Sequence, residues 1–522
     1  MDEARRVSHR AIAGALLLLV VLSITVLVVP QARQSSPART AKPAVKPIMP
    51  SVDVWLSTAD RRLKLSPQNA VAMSARDGTS ADIVIDADTS YQSMTGFGAA
   101  MTDASAWLLR HRLNPRQRHA LMRELFGPPP GLDFNMMRLT IGASDFSRHF
   151  YTLDDIPFGE TDPDLKHFNV AENLPELIPT VQEALALQPG LLIVASPWSA
   201  PAWMKSEGNL IGGELLEQYE SVYADYLIRY LDAYRHFGIP IFALTLQNEP
   251  HFSPMTYPGM PMDAATRARI IGQYLGPKLA GRTQRTRILD WDHNWSHPEE
   301  PLGVLSNPDV ARYVDGVAWH CYEGSQHAQG TVHRAHPDKD AYITECSGGD
   351  WALSMNGELL WFTRNLLVTG TRQWARGVIY WNLALDEDHG PHFGGCAVCK
   401  GVVTIDSQTG EVTRNDEYYA LAHFSRFVAP GAVRIKSNDT DASMGIANVA
   451  FRNPVDGSIV LVAVNIKTDA QQLTVAQGRN QFAYTLPAES VATFVWHPDV
   501  LGAWIRRAQR WLGPEGKPTR VE

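Results

Sequence analysis

Two stretches of the chain end apolar runs in carboxylates whose type and setting could cleave an acetal bond. In LTLQNEPHF the run closes on Gln247, Asn248 and Glu249 before Pro250, and in YITECSGG it closes on Glu345. One carboxylic acid can protonate a leaving oxygen while a second carboxylate meets the positive charge that develops on the released carbon. At a separation of about 5–5.5 Å the second group attacks as a nucleophile, and at about 6.5–9.5 Å a water fits between. Spacing along the chain does not set that distance, so the elements carrying the two residues must.

Eight short apolar runs lie between Met94 and Leu385: SMTGFG, NMMRLTI, LLIVAS, IFALTLQ, TRILDWD, GVAWHC, AYIT and GVIYWN. Most are separated by stretches of helical periodicity, which predicts alternating strands and helices around a parallel sheet. Between the third and fourth runs, Leu215, Tyr219, Val222, Tyr223, Tyr226, Leu227, Tyr230, Leu231 and Tyr234 fall on one helical face that must pack on that sheet. The fold class expected is α/β, with eight strands closing a (β/α)8 TIM barrel whose chemistry sits at the strand C-terminal ends. Those ends carry Arg138 with Asp145, Ser196 with Trp198, Asn248 with Glu249, Asp292 with Asn294, His320 with Tyr322, Glu345, and Trp381 with Asn382. Strands four and seven face each other across such a mouth, so Glu249 and Glu345 can share one cleft. Tryptophan and histidine at strand ends exceed what solvation alone selects. Asp103 in MTDA reads as a helix cap.

Beyond about Val402 the pattern becomes alternating strands with turn signals, including NPVDG, and predicts a small β-sandwich. VDVWLST and ADIVIDA are too few to fold alone and are expected to complete that sandwich from the N-terminal side. Arg5, Arg6 and Arg10 precede Ala11 to Val29, an uncharged apolar run long enough to cross a bilayer. The organisation predicted is a signal anchor at 1–30, a proline-rich linker at 31–50, sandwich strands at 51–90, the barrel at 91–400, the C-terminal sandwich at 401–498 and a basic amphipathic helix at 499–522. An exported body held to the membrane by the N-terminal helix is expected, with secretion after cleavage as the alternative. The last helix sets Trp504 and Trp511 against Arg506, Arg507 and Arg510, and either lies on a membrane or docks on the sandwich.

Among four cysteines, Cys396 and Cys399 form a CxxC. With no second CxxC to complete a zinc site, a local disulfide in an exported chain is the better reading. His293 and His320 are too few for a metal-dependent hydrolase, so neither metal nor other cofactor is expected. A 522-residue chain with 45% hydrophobic and 20% charged residues forms a large core rather than a disordered coil. A net charge of -8 with mixed signs and no basic stripe argues against nucleic acid as a partner.

On the ordered segments GFGAAMTDA, ASDFS, ASPWSAPAWMK, LTLQNEP, WHCY, ITECSGG, YWNLAL and HFSRF, the chain resembles glycoside hydrolase family 30 from about Val52 to His497. This is the family of lysosomal glucosylceramidase and its bacterial and fungal relatives. The resemblance implies a barrel with a side β-sandwich, and retaining hydrolysis of β-glucosides, with a carbohydrate or glycolipid as substrate. An endo-β-1,6-glucanase or another β-glycanase is the alternative within the family. A non-catalytic carbohydrate-binding protein would lack Glu249 or Glu345, and both are present. By the same resemblance Glu249 is the acid/base, Glu345 the nucleophile, and Asn248 the ligand of the sugar 2-hydroxyl. Asp145, Trp198 and Trp381 hold the sugar before the cleaved bond, His320 and Tyr322 stand near the nucleophile, and Arg138 pairs with the carboxylates. Glu249 is expected to be kept protonated by the charge of Glu345. Cys321 stands where the glucosylceramidase carries tryptophan, and PHFGGCAVCKG and WDHN look like the bacterial and glucanase-like branches. These departures bear on the substrate rather than on the reaction.

Overall fold

The computed structural model describes residues 51–498 apart from 79 and 355–356. The expected anchor, the linker and the C-terminal helix lie outside those residues. Among the described residues no helix is long and apolar enough to cross a membrane.

Each of the eight predicted runs overlaps a strand: Gly96–Ala100, Met136–Ile141, Leu192–Pro197, Ala243–Thr245, Arg287–Asn294, Gly316–His320, Asp340–Glu345 and Ala375–Asn382. They pair in parallel in chain order, and the eighth pairs with the first to close the barrel. Met136, Val194, Ala243, Leu289, Ala318, Tyr342 and Ile379 fill one interior layer with apolar side chains. Side chains alternate along a strand, so the residue two positions on faces the same interior. Those residues are Arg138, Ser196, Thr245, His320, Thr344 and Trp381, which makes the next layer polar and aromatic.

Strand five breaks the alternation. Its pairing with strand six runs from Ala318–Trp291 to Trp319–His293 and skips Asp292. Trp291 and Asp292 have φ of 76° and 53°, the left-handed region that bulky residues enter only under constraint. The extra residue is a bulge, which bends the strand and re-aims its side chains. It turns Asp292 into the barrel three positions after Leu289 instead of two.

The helix Glu220–His236 buries Tyr223, Tyr226, Leu227, Tyr230, Leu231 and Tyr234. Three of its tyrosine hydroxyls, those of Tyr223, Tyr226 and Tyr234, also find polar partners. Tyr223 Oη donates to the carbonyl of Leu246 at 2.8 Å, pinning the end of strand four just before Asn248 and Glu249.

Ten of the remaining strands form one sheet in which Ser51–Thr58 pairs antiparallel with Ser490–Trp496, so both flanks of the barrel build it. Far apart in the sheet order, Asn480–Leu486 and Ser490–Trp496 nevertheless bring Phe482 within 5.3 Å of Phe494 and 5.7 Å of Trp496. The sheet therefore folds over itself as a sandwich. Ile459, Leu461 and Ala463 point into its core, and Val460, Val462 and Val464 point to the larger core shared with the barrel. At that junction lies the helix Asp416–Ser425. Phe424 packs on Phe97 and Phe451, and His423 bonds Ser57 Oγ and Thr493 Oγ1.

Candidate active site

The polar layer at the barrel mouth is organised around Asp292. Its Oδ2 accepts from Arg138 Nη2 at 2.8 Å, Ser196 Oγ at 2.7 Å and Thr245 Oγ1 at 2.8 Å. Its Oδ1 accepts from Thr344 Oγ1 at 2.6 Å and from His320 Nε2 at 3.1 Å. Burial alone would raise this carboxyl, but the Arg138 guanidinium and the bonds from His320 and Thr344 hold it well below the usual carboxylate range. Arg138 is itself fully buried. It reaches Glu345 Oε2 through Nη1 and Asn248 Oδ1 through Nη2, the latter at 2.8 Å. Its guanidinium lies 4.9 Å from the ring of Trp198 and 5.4 Å from that of Trp381, which stack on each other at 5.1 Å. Removing Asp292 would take one buried carboxylate from both Arg138 and His320 and leave three hydroxyl donors facing an empty position. Asp292→Ala is therefore expected to lower stability by about 3–5 kcal/mol in denaturant titrations, and Asp292→Asn, which keeps the shape, by less.

Glu249 stands just past strand four with φ of 46°. Its backbone N–H donates to the carbonyl of Asp292 at 3.0 Å, and that of Asn248 donates to the carbonyl of Pro197 at 2.8 Å. The turn is thus tied to the strands on both sides. Glu345 ends strand seven, where Oε1 accepts from Tyr322 Oη at 2.9 Å and Oε2 from Arg138. His320 stands between the two carboxylates. Its Nδ1 is 2.9 Å from Glu249 Oε1 and 4.0 Å from Glu345 Oε1.

The charges follow from this arrangement. Burial would lower His320, but the charge of Glu345 and the bonds to Asp292 and Glu249 outweigh it and raise the imidazole to about 9. Burial would raise Glu249, but the facing nitrogens of His293 and His320 hold its carboxyl below the ordinary range. Of those two nitrogens only His320 makes the bond. His293 Nδ1 is 3.6 Å away, and among the described residues it has no hydrogen-bond partner. The resting proton therefore sits on His320. The expectation that the charge of Glu345 keeps Glu249 protonated overlooks the histidine between them. Glu249, His293 and His320 bring donor atoms within 4.8 Å of one another, a spacing that could suit a metal. A histidine facing a carboxylate with each ring nitrogen donates from both and offers no lone pair to a metal.

A cleft of about 660 Å³ opens above these groups, and Asp145, Glu249, Tyr322, Glu345 and Trp381 border it. Burial, with the charges of Glu345 and Glu249, pushes the Asp145 carboxyl well above its ordinary range. It can then donate to a sugar hydroxyl. Trp198 and Asn248 are absent among the described residues that border the cleft, because one stacks on Trp381 and the other is held by Arg138. His251, Phe252, Tyr257, His293 and Trp351 do border it. Sequence reasoning weighed His293 only as a metal ligand and gave the other four no place in the cleft. Most lie on loops, where no periodicity announces orientation, while His293 follows directly on the bulge that overrides the alternation of its strand.

Lys205 shapes one wall from behind. Its buried Nζ donates to Ser199 Oγ at 2.8 Å and to the carbonyls of Leu210 at 2.9 Å and Gly259 at 3.0 Å, using all three protons. Burial pushes the amine down to about 7. Lys205→Met would release the segment that carries Tyr257. The expected result is a several-fold higher KM for an oligosaccharide, with a smaller change in kcat, measured by steady-state kinetics. Two disulfides flank the cleft: Cys396–Cys399, and Cys321–Cys346, a pairing that nothing in the spacing of the cysteines suggested.

Residues 94–428 match a family model described as the glycosyl hydrolase family 30 TIM-barrel domain, and residues 431–494 match the family 30 beta sandwich domain. The chain is 36% identical over 433 residues to an endo-1,6-beta-D-glucanase of Aspergillus fumigatus, covering 77% of this chain and 85% of that one. It is 29% identical over 460 residues to the lysosomal acid glucosylceramidase of Mus musculus, covering 84% and 87%. Among solved structures it is similar to an endo-beta1,6-glucanase, with a TM-score of 0.78 and 30% identity over 85% of this chain and 99% of that chain.

Proposed function

The chain belongs to glycoside hydrolase family 30 and is a glycosidase, and we propose that it cleaves β-1,6-glucan internally with retention of configuration. The observation that carries the mechanism is that both carboxylates approach one histidine nitrogen, at 2.9 Å and 4.0 Å. The gap between those oxygens cannot exceed the sum of the two distances, a bound that takes in the about 5–5.5 Å of a retaining pair and so supports retention. Glu345, oriented by Tyr322 and Arg138, attacks the anomeric carbon as the bond to the leaving oxygen breaks. Glu249 delivers the proton that the leaving oxygen needs, and in the resting site that proton is held one hydrogen bond away on His320. In the second half, Glu249 takes a proton from water as the water displaces Glu345.

The choice of glucan is supported by the higher identity to the glucanases, 36% against 29% for the glucosylceramidase. Glucosylceramide is the second reading, favoured by the coverage of that relative along its length. Chromatography of the products of the whole protein on linear β-1,6-glucan, glucosylceramide and an aryl β-glucoside separates them. A ladder of short β-1,6-linked oligosaccharides appearing before glucose is expected. Release of glucose from glucosylceramide with the glucan left intact would reject the glucan reading. We further place the catalytic body outside the cytoplasm, a reading supported by the two disulfides, and propose a tether on the apolar run of residues 11–29.

A further inference from the structure

We propose that the Cys321–Cys346 disulfide is a redox modification site that positions the reacting groups, so that a dithiol reaching it slows the enzyme without unfolding it. The inference rests on the reading of Glu345 as nucleophile and deepens it.

The ladder between strands six and seven slips after Trp319 and ends on the pair His320–Glu345. The next residue on each strand is a cysteine, with Cα atoms 5.3 Å apart, so a covalent bond takes over where the backbone hydrogen bonds stop. Both neighbours of Cys321 touch the catalytic carboxylates. His320 Nδ1 bonds Glu249, and Tyr322 Oη bonds Glu345 at 2.9 Å. Cys346 directly follows Glu345 in the chain. Beyond the ladder, the Tyr322 N–H is held from strand five by Asn294 Oδ1, and the Cys346 carbonyl from strand eight by the Trp381 N–H. Those bonds reach outward to other strands, whereas the disulfide ties the two strand ends to each other and so sets how the tyrosine meets the nucleophile.

Access to the two sulfurs differs. Cys346 is fully buried. Cys321 is partly exposed and borders a second cavity of about 370 Å³, whose lining includes the exposed Trp351 and Trp361. A thiolate of the dithiol attacks Cys321 Sγ, the S–S bond breaks, and Cys346 leaves as a thiolate. The second thiol of the reagent then attacks its own sulfur in the mixed disulfide and frees Cys321. Two electrons pass to the protein, the two thiol protons end on Cys321 and Cys346, and the reagent departs as a cyclic disulfide.

The whole protein is treated with dithiothreitol, alkylated, and mapped by mass spectrometry while kinetics are followed. Opening of this pair should lower kcat about 10- to 100-fold, in keeping with the cost of a small misplacement. KM for an aryl β-glucoside should stay within about twofold, and the stoichiometry of a fluorosugar active-site titrant should not change. Turnover, rather than the folded fraction, would then be what falls. Re-oxidation should restore kcat. A C321A/C346A variant should start slow and ignore the dithiol, although it keeps Cys396–Cys399. Full kcat with the pair mapped as reduced, or wild-type kcat in the variant, would overturn the proposal. If the variant does not fold, the reduction and re-oxidation cycle on the native protein decides. Failure of the nucleophile reading looks different: Glu345→Gln would then remain active, whereas failure of the disulfide inference leaves that variant inactive and the reduced enzyme fast.

Discussion

Glu345→Gln is expected to hydrolyse β-glucosides about 10⁴- to 10⁶-fold more slowly than the wild type, the scale seen when a nucleophile is removed. The amide keeps the shape of the carboxylate and can still meet Tyr322, so the loss should fall on kcat rather than on folding. Arg138 keeps Asp292 and Asn248 as partners and is not left unpaired. A Glu345→Gly variant opens room for a small external nucleophile at the same face of the sugar. With azide and an activated aryl β-glucoside it should yield the α-glycosyl azide, because the anion enters where Glu345 would have attacked. Formation of the β-azide would instead exchange the roles of Glu249 and Glu345, and undiminished turnover would remove Glu345 from the mechanism.

Glu249→Gln is expected to lose about 10²- to 10⁴-fold on β-1,6-glucan, the usual worth of a positioned general acid. An aryl β-glucoside with an acidic phenol needs little protonation to leave, so formation of its glycosyl-enzyme should be largely spared. Deglycosylation, which still needs a base, then becomes limiting, and a burst of phenol should appear. Equal losses on both substrates would argue that Glu249 binds sugar rather than transferring a proton. The pH dependence belongs to the same contact. Activity of the wild type should fall as pH rises through about 9, where His320 gives up the proton it holds for Glu249. In Glu249→Gln that basic limb should weaken or vanish.

Stability is linked to the same proton. His320 is raised from 6.5 to about 9 in the folded protein, so its contribution is complete below 6.5 and is lost as pH rises through about 9. Glu249 is held below its ordinary 4.5, so its contribution is present above that value and fades as pH falls through the lowered folded value. The two statements describe one ion pair from its two ends and are not to be added. Thermal melts across this range should show loss of stability at both extremes, with the alkaline limb reduced in His320→Asn.

The amino-acid sequence by itself determined the barrel, the sandwich and the pair of carboxylates. Each is announced by a local pattern: apolar runs at strand spacing, a tyrosine-rich helical face from Tyr219 to Tyr234, and acidic residues closing the fourth and seventh runs. Once eight parallel strands close in order, the fourth and seventh stand three apart around the ring, and side chains at their C-terminal ends can turn into one cleft. The tertiary structure alone decided how the site is wired. Asp292 becomes its hub only because a bulge at Trp291 and Asp292 turns it inward against the alternation of its strand. His320 holds the resting proton because three acidic residues from strands four, five and seven converge on it. Trp198 stacks behind Trp381 instead of lining the cleft, and Cys321 meets Cys346 because two strand ends lie side by side. Such contacts join residues far apart in the chain, and their geometry depends on register slips of a single residue, which periodicity does not encode.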